Sequence, residues 1–351
     1  MPTKTNLEQK PSKLGYRMPA EWEPHEATWL AWPHDRQTWP DQLDEIEAAY
    51  IEIIDYLHVG EAVRILVDDA RAEEEAFQKL KVRGINRNIT FHQIETDSIW
   101  IRDYGPIFIT REGSTLSSTN WLFNAWGGKY HYPKDKQVAS KLAQVLNIAH
   151  FQVDLVLEGG SIDVNGEGTL LTTEECLLNP NRNPHLARKQ IEQYLKDFLN
   201  VKKIIWLGKG IEGDDTDGHI DEVARFVSAD QIVMSVSQNS NRYNHQVLTD
   251  NWKRLEQETN QEGKKFQLTQ LPMPTQIKTG KLTLPGSYTN FYIGNACVLT
   301  PVFGDQNDTR ALSILKDLFP TRKVVGIPAI PLIYGQGAIH CMTQQEPSHA
   351  S

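Results

Sequence analysis

Cysteine is scarce in this chain. Three thiols, Cys176, Cys297 and Cys341, are spread over 351 residues. An odd, sparse set does not build a disulfide framework, which points to a reducing compartment and a cytoplasmic protein. Long apolar runs are also missing. No stretch approaches the ~20 residues that a membrane helix needs. Met1 to Tyr16 is polar, without the apolar segment of a secretory signal, and reads as a loose, disordered tail over 1–16. Positive charge is in deficit. Lys and Arg number 36 against 45 Asp and Glu, a net charge of −9. That balance argues against nucleic acid and anionic membranes as partners and suits a small cationic ligand. Neither the phosphate-binding G-x-x-x-x-G-K-[ST] pattern nor the metal spacings C-x-x-C and H-E-x-x-H occur, so no cofactor and no metal are expected.

What the chain does have is repetition. Four segments read as a strand, a tight turn and a second strand: 107–118, 161–172, 224–235 and 291–299. Turn residues such as Asn165-Gly166 and Gly294-Asn295 separate the halves. A helical pattern follows each hairpin (136–147, 186–199, 246–259, 309–318), and then a short apolar strand (151–157, 202–207, 266–271, 323–327). A fifth copy fits the start, with a strand at 27–32, a helix near 41–58 and a strand at 62–67. The expected class is α/β, with five units able to close in a ring around one axis. Residues 17–347 then form a single domain, and 348–351 a second short tail.

The chemistry-bearing residues fall at matching places in different units. Asp103 precedes one hairpin, Glu158 the next, His219 and Asp221 a third, and Cys341 follows the last strand. Cys341 lies behind Gly335 and Gly337 and ahead of Thr343-Gln344-Gln345, a loop-like setting in which thiolate chemistry is open to it. Cys176 and Cys297 sit in apolar runs and read as packing thiols. His219 and Asp221, two apart, would share a strand face, and the carboxylate would raise the imidazole pKa. The competing reading is a surface His–Asp pair. Asp103 and Glu158 could grip a planar guanidinium through bidentate hydrogen bonds. Asp103 could equally pair with Arg102, and Glu158 could serve the turn at Gly159-Gly160. Trp100 could stack on a cation or simply pack.

Six motifs carry a family resemblance: Met18-Pro19-Ala20-Glu21-Trp22-Glu23-Pro24-His25, Trp100-Ile101-Arg102-Asp103-Tyr104-Gly105-Pro106, Leu157-Glu158-Gly159-Gly160-Ser161, Asn179-Pro180-Asn181-Arg182-Asn183-Pro184, Gly218-His219-Ile220-Asp221 and Ile339-His340-Cys341-Met342-Thr343-Gln344-Gln345. Together they resemble the agmatine deiminases of the guanidino-modifying pentein superfamily, from Met18 to about Pro347. The resemblance implies a five-bladed α/β propeller with pseudo-five-fold symmetry and a homodimer or larger assembly. It implies Cys341 as nucleophile, His219 as general acid and base, Asp103 and Asp221 on the guanidinium nitrogens, Glu158 supporting His219 or the substrate, and Trp100 lining the pocket. Asp97, Asp214, Asp215 and Asp217 are candidates for the amine end of agmatine, Asp217 foremost. The expected reaction converts agmatine to N-carbamoylputrescine and ammonia, in polyamine synthesis. Free or peptidyl arginine as substrate, and a non-catalytic binding module, are the alternatives. One departure stands out: Gly335-Gln336-Gly337-Ala338 replaces the Gly-Gly-Gly-Asn run usual in the family.

Overall fold

A computed structural model describes residues 9–35, 38–113, 116–238 and 243–348. Five of its six sheets share one pairing order, an antiparallel pair followed by a parallel strand. Ile107–Ile109, Ser117–Leu122 and Ala149–Val156 form the first such set in the chain. Ile162–Val164, Thr169–Thr173 and Lys203–Leu207 form the second, and Ala224–Ser228, Gln231–Val236 and Gln267–Pro272 the third. Tyr292–Ile293, Cys297–Val302 and Lys323–Pro328 form the fourth. The fifth sheet joins the two ends of the chain. Its Gln344–Pro347 pairs antiparallel with His25–Ala31, which continues in parallel to Ala62–Val67 and Ile89–Gln93.

Each parallel step needs a crossover, and a helix supplies it. Leu43–Leu57, Ala70–Val82, Val138–Val145, Arg188–Leu199, Tyr243–Gln257 and Asp308–Leu318 occupy these positions. Leu43, Ile46, Tyr50, Ile53, Ile54 and Leu57 recur at three- and four-residue spacing and bury one face of the first of these helices. Asp44 and Glu45 sit in its first turn, where the helix dipole favours them. Thr169–Thr173 is buried at every residue, as a strand covered on both faces should be.

The repeat expected from the sequence is therefore present as a mixed α/β pattern, with differences. Helix Ala70–Val82 and strand Ile89–Gln93 extend the first unit, and a separate hairpin pairs Ile277–Thr279 with Leu282–Leu284. Strand Gln344–Pro347 was also not foreseen, because its polar residues lack a strand signature; its burial comes from Glu346, which accepts from Trp29 Nε1 (2.8 Å) and Arg64 Nη2 (3.1 Å). The reading of 1–16 as a loose tail is corrected over its second half. Pro11–Leu14 form a 3-10 turn, and Tyr16 is buried edge-on against Phe151. Residues 1–8, Thr115 and 349–351 lie outside the described residues. Among those described, no helix is long and apolar enough to cross a membrane.

Candidate active site

A short turn precedes the first strand of each of the five sheets, and the candidate residues sit in these turns. Asp103 lies in Ile101–Tyr104, and Glu158 caps Gly159–Ser161. His219 caps Ile220–Glu222, which contains Asp221. Asn290 precedes Tyr292–Ile293, and Cys341 precedes Gln344–Pro347. His219 and Asp221 thus share a 3-10 turn, not the strand face read from their spacing.

Cys341 lines a cavity of about 750 Å³ together with Trp100, Asp103, Trp126, Asp97 and Asp215. Cys341 itself is only 6% exposed. Its Sγ accepts from Asn290 Nδ2 at 3.2 Å and lies 3.8 Å from Asp221 Oδ2. Burial, reinforced by the carboxylates of Asp221, Glu222 and Asp103, pushes the thiol well above its ordinary pKa. The open setting suggested by the sequence is a buried one that disfavours the thiolate while no cation is present.

Asp103 accepts from Trp126 Nε1 (2.8 Å) and from the Gly160 amide (2.9 Å), not from its neighbour Arg102. Burial, then Asp221 and Glu158, still raise its pKa well above the usual range. Trp126 reaches it from a backbone turn at φ 55°, in the left-handed region that non-glycine residues adopt at a cost. Burial opposes charge on Asp221, but the hydrogen bond from His340 Nδ1 (2.7 Å) and the charges around it bring its pKa below normal. Its other oxygen, Oδ1, is buried with no partner.

His219 is fully buried and neither ring nitrogen has a hydrogen-bond partner. Nδ1 lies 3.8 Å from Asp103 Oδ1. Desolvation pulls its pKa down to about 3, against the raising effect of Asp221. The expectation that a nearby carboxylate would raise it is overturned, because burial outweighs the Coulomb attraction. Glu158 accepts from Arg182 Nε at 2.6 Å, while its Oε2 is buried and unpartnered. Burial raises its pKa despite Arg182.

Gly160 stands between these groups. A Cβ there would come within 2.7 Å of His219 Nδ1, 2.9 Å of Asp103 Oδ1 and 2.9 Å of Asp221 Oδ2. The missing side chain lets two carboxylates and an imidazole close in on this backbone, where not even a methyl group would fit.

Other expected residues fall elsewhere. Asp217 does not line the cavity; it binds Arg182 Nη1 (2.7 Å), Asn181 Nδ2 (3.0 Å) and Lys129 Nζ (3.0 Å). Asp214 accepts from the amides of Gly218 and His219 (3.0 Å each) and so shapes the histidine turn. Trp100 does line the cavity, packed against Trp39 at 6.0 Å between ring centres. A Cβ on Gly337 would meet the Trp100 ring at 2.6 Å, so this glycine is set by packing. Gln336, at φ 73°, faces the same cavity.

Five participants escaped the sequence reading. Asn290 was within reach, since it occupies the turn of the one unit to which no polar residue had been assigned. Glu21, His340, Arg102 and Arg225 carried motif signals only as parts of a resemblance or none at all. His340 bridges Asp221 and Glu21 Oε2 (2.8 Å), and Glu21 also meets Arg225 Nη2 (2.9 Å) and Arg102 Nη2 (3.4 Å). A glycine pattern was missed as well. Gly208-Lys209-Gly210-Ile211-Glu212-Gly213 has dinucleotide-type spacing and follows strand Lys203–Leu207, but it leads into turns and not a helix, so it builds no phosphate cradle. Two buried groups could supply metal ligands, Glu158–Cys176–His219 and Asp221–Glu222–Cys341.

At fold level the chain is similar to an amidinotransferase of Microseira wollei at 10% identity and a TM-score of 0.55, over 96% of this chain and 98% of that one. Closer likenesses narrow the class. The chain belongs to the Porphyromonas-type peptidyl-arginine deiminase family, whose model matches residues 17–347. It is 35% identical to an agmatine deiminase of Pseudomonas aeruginosa over 98% of this chain and 99% of that one. The agmatine deiminase structure of Enterococcus faecalis matches with a TM-score of 0.90 and 33% identity, over 97% and 98% of the two chains. A substrate-bound C. jejuni agmatine deiminase matches at 0.87 and 32%, over 96% and 97%. The resemblance drawn from the six motifs is borne out.

Proposed function

We propose that this chain hydrolyses agmatine to N-carbamoylputrescine and ammonia, with Cys341 as nucleophile and His219 as proton carrier. One observation carries the reading. His219, Asp103 and Asp221 converge on Gly160, the Cys341 Sγ lies 3.8 Å from Asp221 Oδ2, and Asp103 and Cys341 both line the cavity. A guanidinium in that cavity, between Asp103 and Cys341, would meet the carboxylates, give the orphaned Asp221 Oδ1 a donor and present its carbon to sulfur. Its positive charge offsets the carboxylates that hold the thiol up. The thiol proton passes to His219 as sulfur bonds to the guanidinium carbon, and His219 hands it to the departing nitrogen, which leaves as ammonia. Water then gives a proton to His219 and adds to the amidino carbon. The carbon–sulfur bond breaks as the added oxygen becomes the ureido carbonyl; its hydroxyl proton returns to the thiolate, His219 releases its proton to solvent, and the ureido product departs. Glu158 is a positioning residue in this scheme, held by Arg182.

Agmatine is favoured over arginine because Asp97 and Asp215 line the cavity with Trp100, Trp126 and Tyr130, while Lys134 in the same lining pairs with Glu95 (3.1 Å) and Asp215 shares its charge with Lys129 (3.4 Å). Carboxylates and aromatic faces suit a primary ammonium. Asp217, engaged by Arg182, acts through the wall and not on the substrate. We further read the five sheets as blades of a closed propeller, 17–347 as one catalytic domain, and the protein as a cytoplasmic homodimer supplying a polyamine precursor. The equivalent turns and the end-to-end sheet support the propeller.

The test is a product assay with agmatine, free arginine and a blocked peptidyl-arginine, on wild type and Cys341→Ala. Ureido product and ammonia from agmatine alone, lost in the variant, is the expected result. Turnover of an arginine substrate instead moves the specificity and keeps the mechanism. No turnover of any substrate sinks the deiminase reading.

A further inference from the structure

We propose that Glu158, Cys176 and His219 form a binding site for a zinc-like divalent ion, and that its occupancy stops turnover by capturing His219. One ligand atom from each residue lies within 4.8 Å of the others, and all three residues are buried. A second observation is independent of that clustering. Both ring nitrogens of His219 and the Oε2 of Glu158 are buried without any hydrogen-bond partner. Buried polar atoms are nearly always paired, so unused lone pairs converging beside a free thiol call for an electrophile.

The donor set selects the ion. Thiolate, imidazole and carboxylate suit zinc and its neighbours and not magnesium or calcium, and three protein ligands leave a fourth position for water. Binding is balanced in charge. The Cys176 thiol releases its proton to solvent as the sulfur–metal bond forms, and thiolate and carboxylate cancel the two charges of the ion. The walls are braced in advance. Arg182 holds the opposite oxygen of Glu158 at 2.6 Å, as outer donors hold metal-bound carboxylates. Thr173 Oγ1 accepts from the Cys176 amide (3.2 Å) and donates to the Gly218 carbonyl, so the cysteine and histidine turns move together. Binding does not depend on the reaction. The loss of turnover rests on His219 being the proton carrier proposed above.

The probe is cobalt(II) chloride added to the reduced, metal-free chain, because cobalt bound to thiolate absorbs in the near ultraviolet. The chain has three cysteines, so a Cys297→Ala/Cys341→Ala double variant leaves Cys176 as its one thiol. The band is expected in wild type and in the double variant, and its loss is expected in Cys176→Ser. No band in the double variant, or an undiminished band in Cys176→Ser, overturns the site. In kinetics, Zn2+ should inhibit Cys176→Ser at least about tenfold less effectively than wild type, with metal-free activity unchanged. Equal inhibition of both would overturn the inhibitory role and point to Asp221, Glu222 and Cys341. If wild type turns over no guanidino substrate, the cobalt spectra still decide the site.

Discussion

Gly160 is the residue on which the most chemistry converges. Its backbone is not in the left-handed region, so alanine would be tolerated by the chain and not by the space. Gly160→Ala should lower kcat/KM for agmatine roughly 100-fold or more, since the added Cβ would push His219, Asp103 and Asp221 aside and a misplacement of about 1 Å has that effect. Overpacking of this kind costs about 1–3 kcal/mol, so thermal unfolding should shift by a few degrees at most; a fully active Gly160→Ala enzyme would show that these groups need not hold their positions. Glu21 is the second such residue. It is buried at 5% exposure between Arg225, Arg102 and His340, and Arg225 and His340 hold its pKa well below normal against the cost of burial. Glu21→Gln leaves Arg225 and Arg102 without their shared anion, and breaking a buried ion pair costs roughly 3–5 kcal/mol. Urea unfolding should show a loss of that size, and kcat should fall with it as His340 loses its hold on Asp221.

Among elements, the last strand matters beyond its length. Gln344–Pro347 covers the edge of His25–Ala31, and Gln345 Oε1 accepts from Arg102 Nη1 at 2.7 Å. Removing everything after Thr343 would expose a sheet edge and strip partners from Arg102, Arg64 and Trp29. The truncated chain should aggregate or lose cooperative unfolding, as read by circular dichroism and light scattering. A well-folded truncation would show that the end-to-end sheet is dispensable. The helices make the opposite case. Their cores follow from three- and four-residue spacing, which is why five of the six crossover helices could be located in the sequence to within a few residues, Ala70–Val82 being the exception.

For the whole molecule, burial of ionisable groups links stability to pH. His219 is held down to about 3 in the folded chain against an ordinary value of 6.5. Between these values the unfolded chain binds a proton that the folded chain refuses. This stability is therefore complete above about pH 6.5 and lost as pH falls toward about 3, with a slope near 1.4 kcal/mol per pH unit. Asp103, Glu158 and Glu222 are raised by burial and act with the opposite sign. The difference between wild type and His219→Asn isolates the histidine. Urea midpoints from about pH 4 to 6.5 should fall more steeply on acidification in wild type. Parallel curves would mean that His219 is solvated.

Local sequence carried the repeating units and most of the side chains that the structure gathers around Gly160 and Cys341. Alternating and helical periodicity, turn residues and a motif such as Gly218-His219-Ile220-Asp221 are local signals, carried by neighbours in the chain. It did not determine which partner each side chain meets or which charge state results. Asp103 turned from Arg102 to Trp126, Asp217 was taken by Arg182, and His219 was pushed down and not up. Asn290, Glu21 and Cys176 acquired their places only when turns from distant units came together. Desolvation and Coulomb interactions depend on distance and burial in space, so residues more than a hundred positions apart decide them, and only the tertiary structure sets those distances.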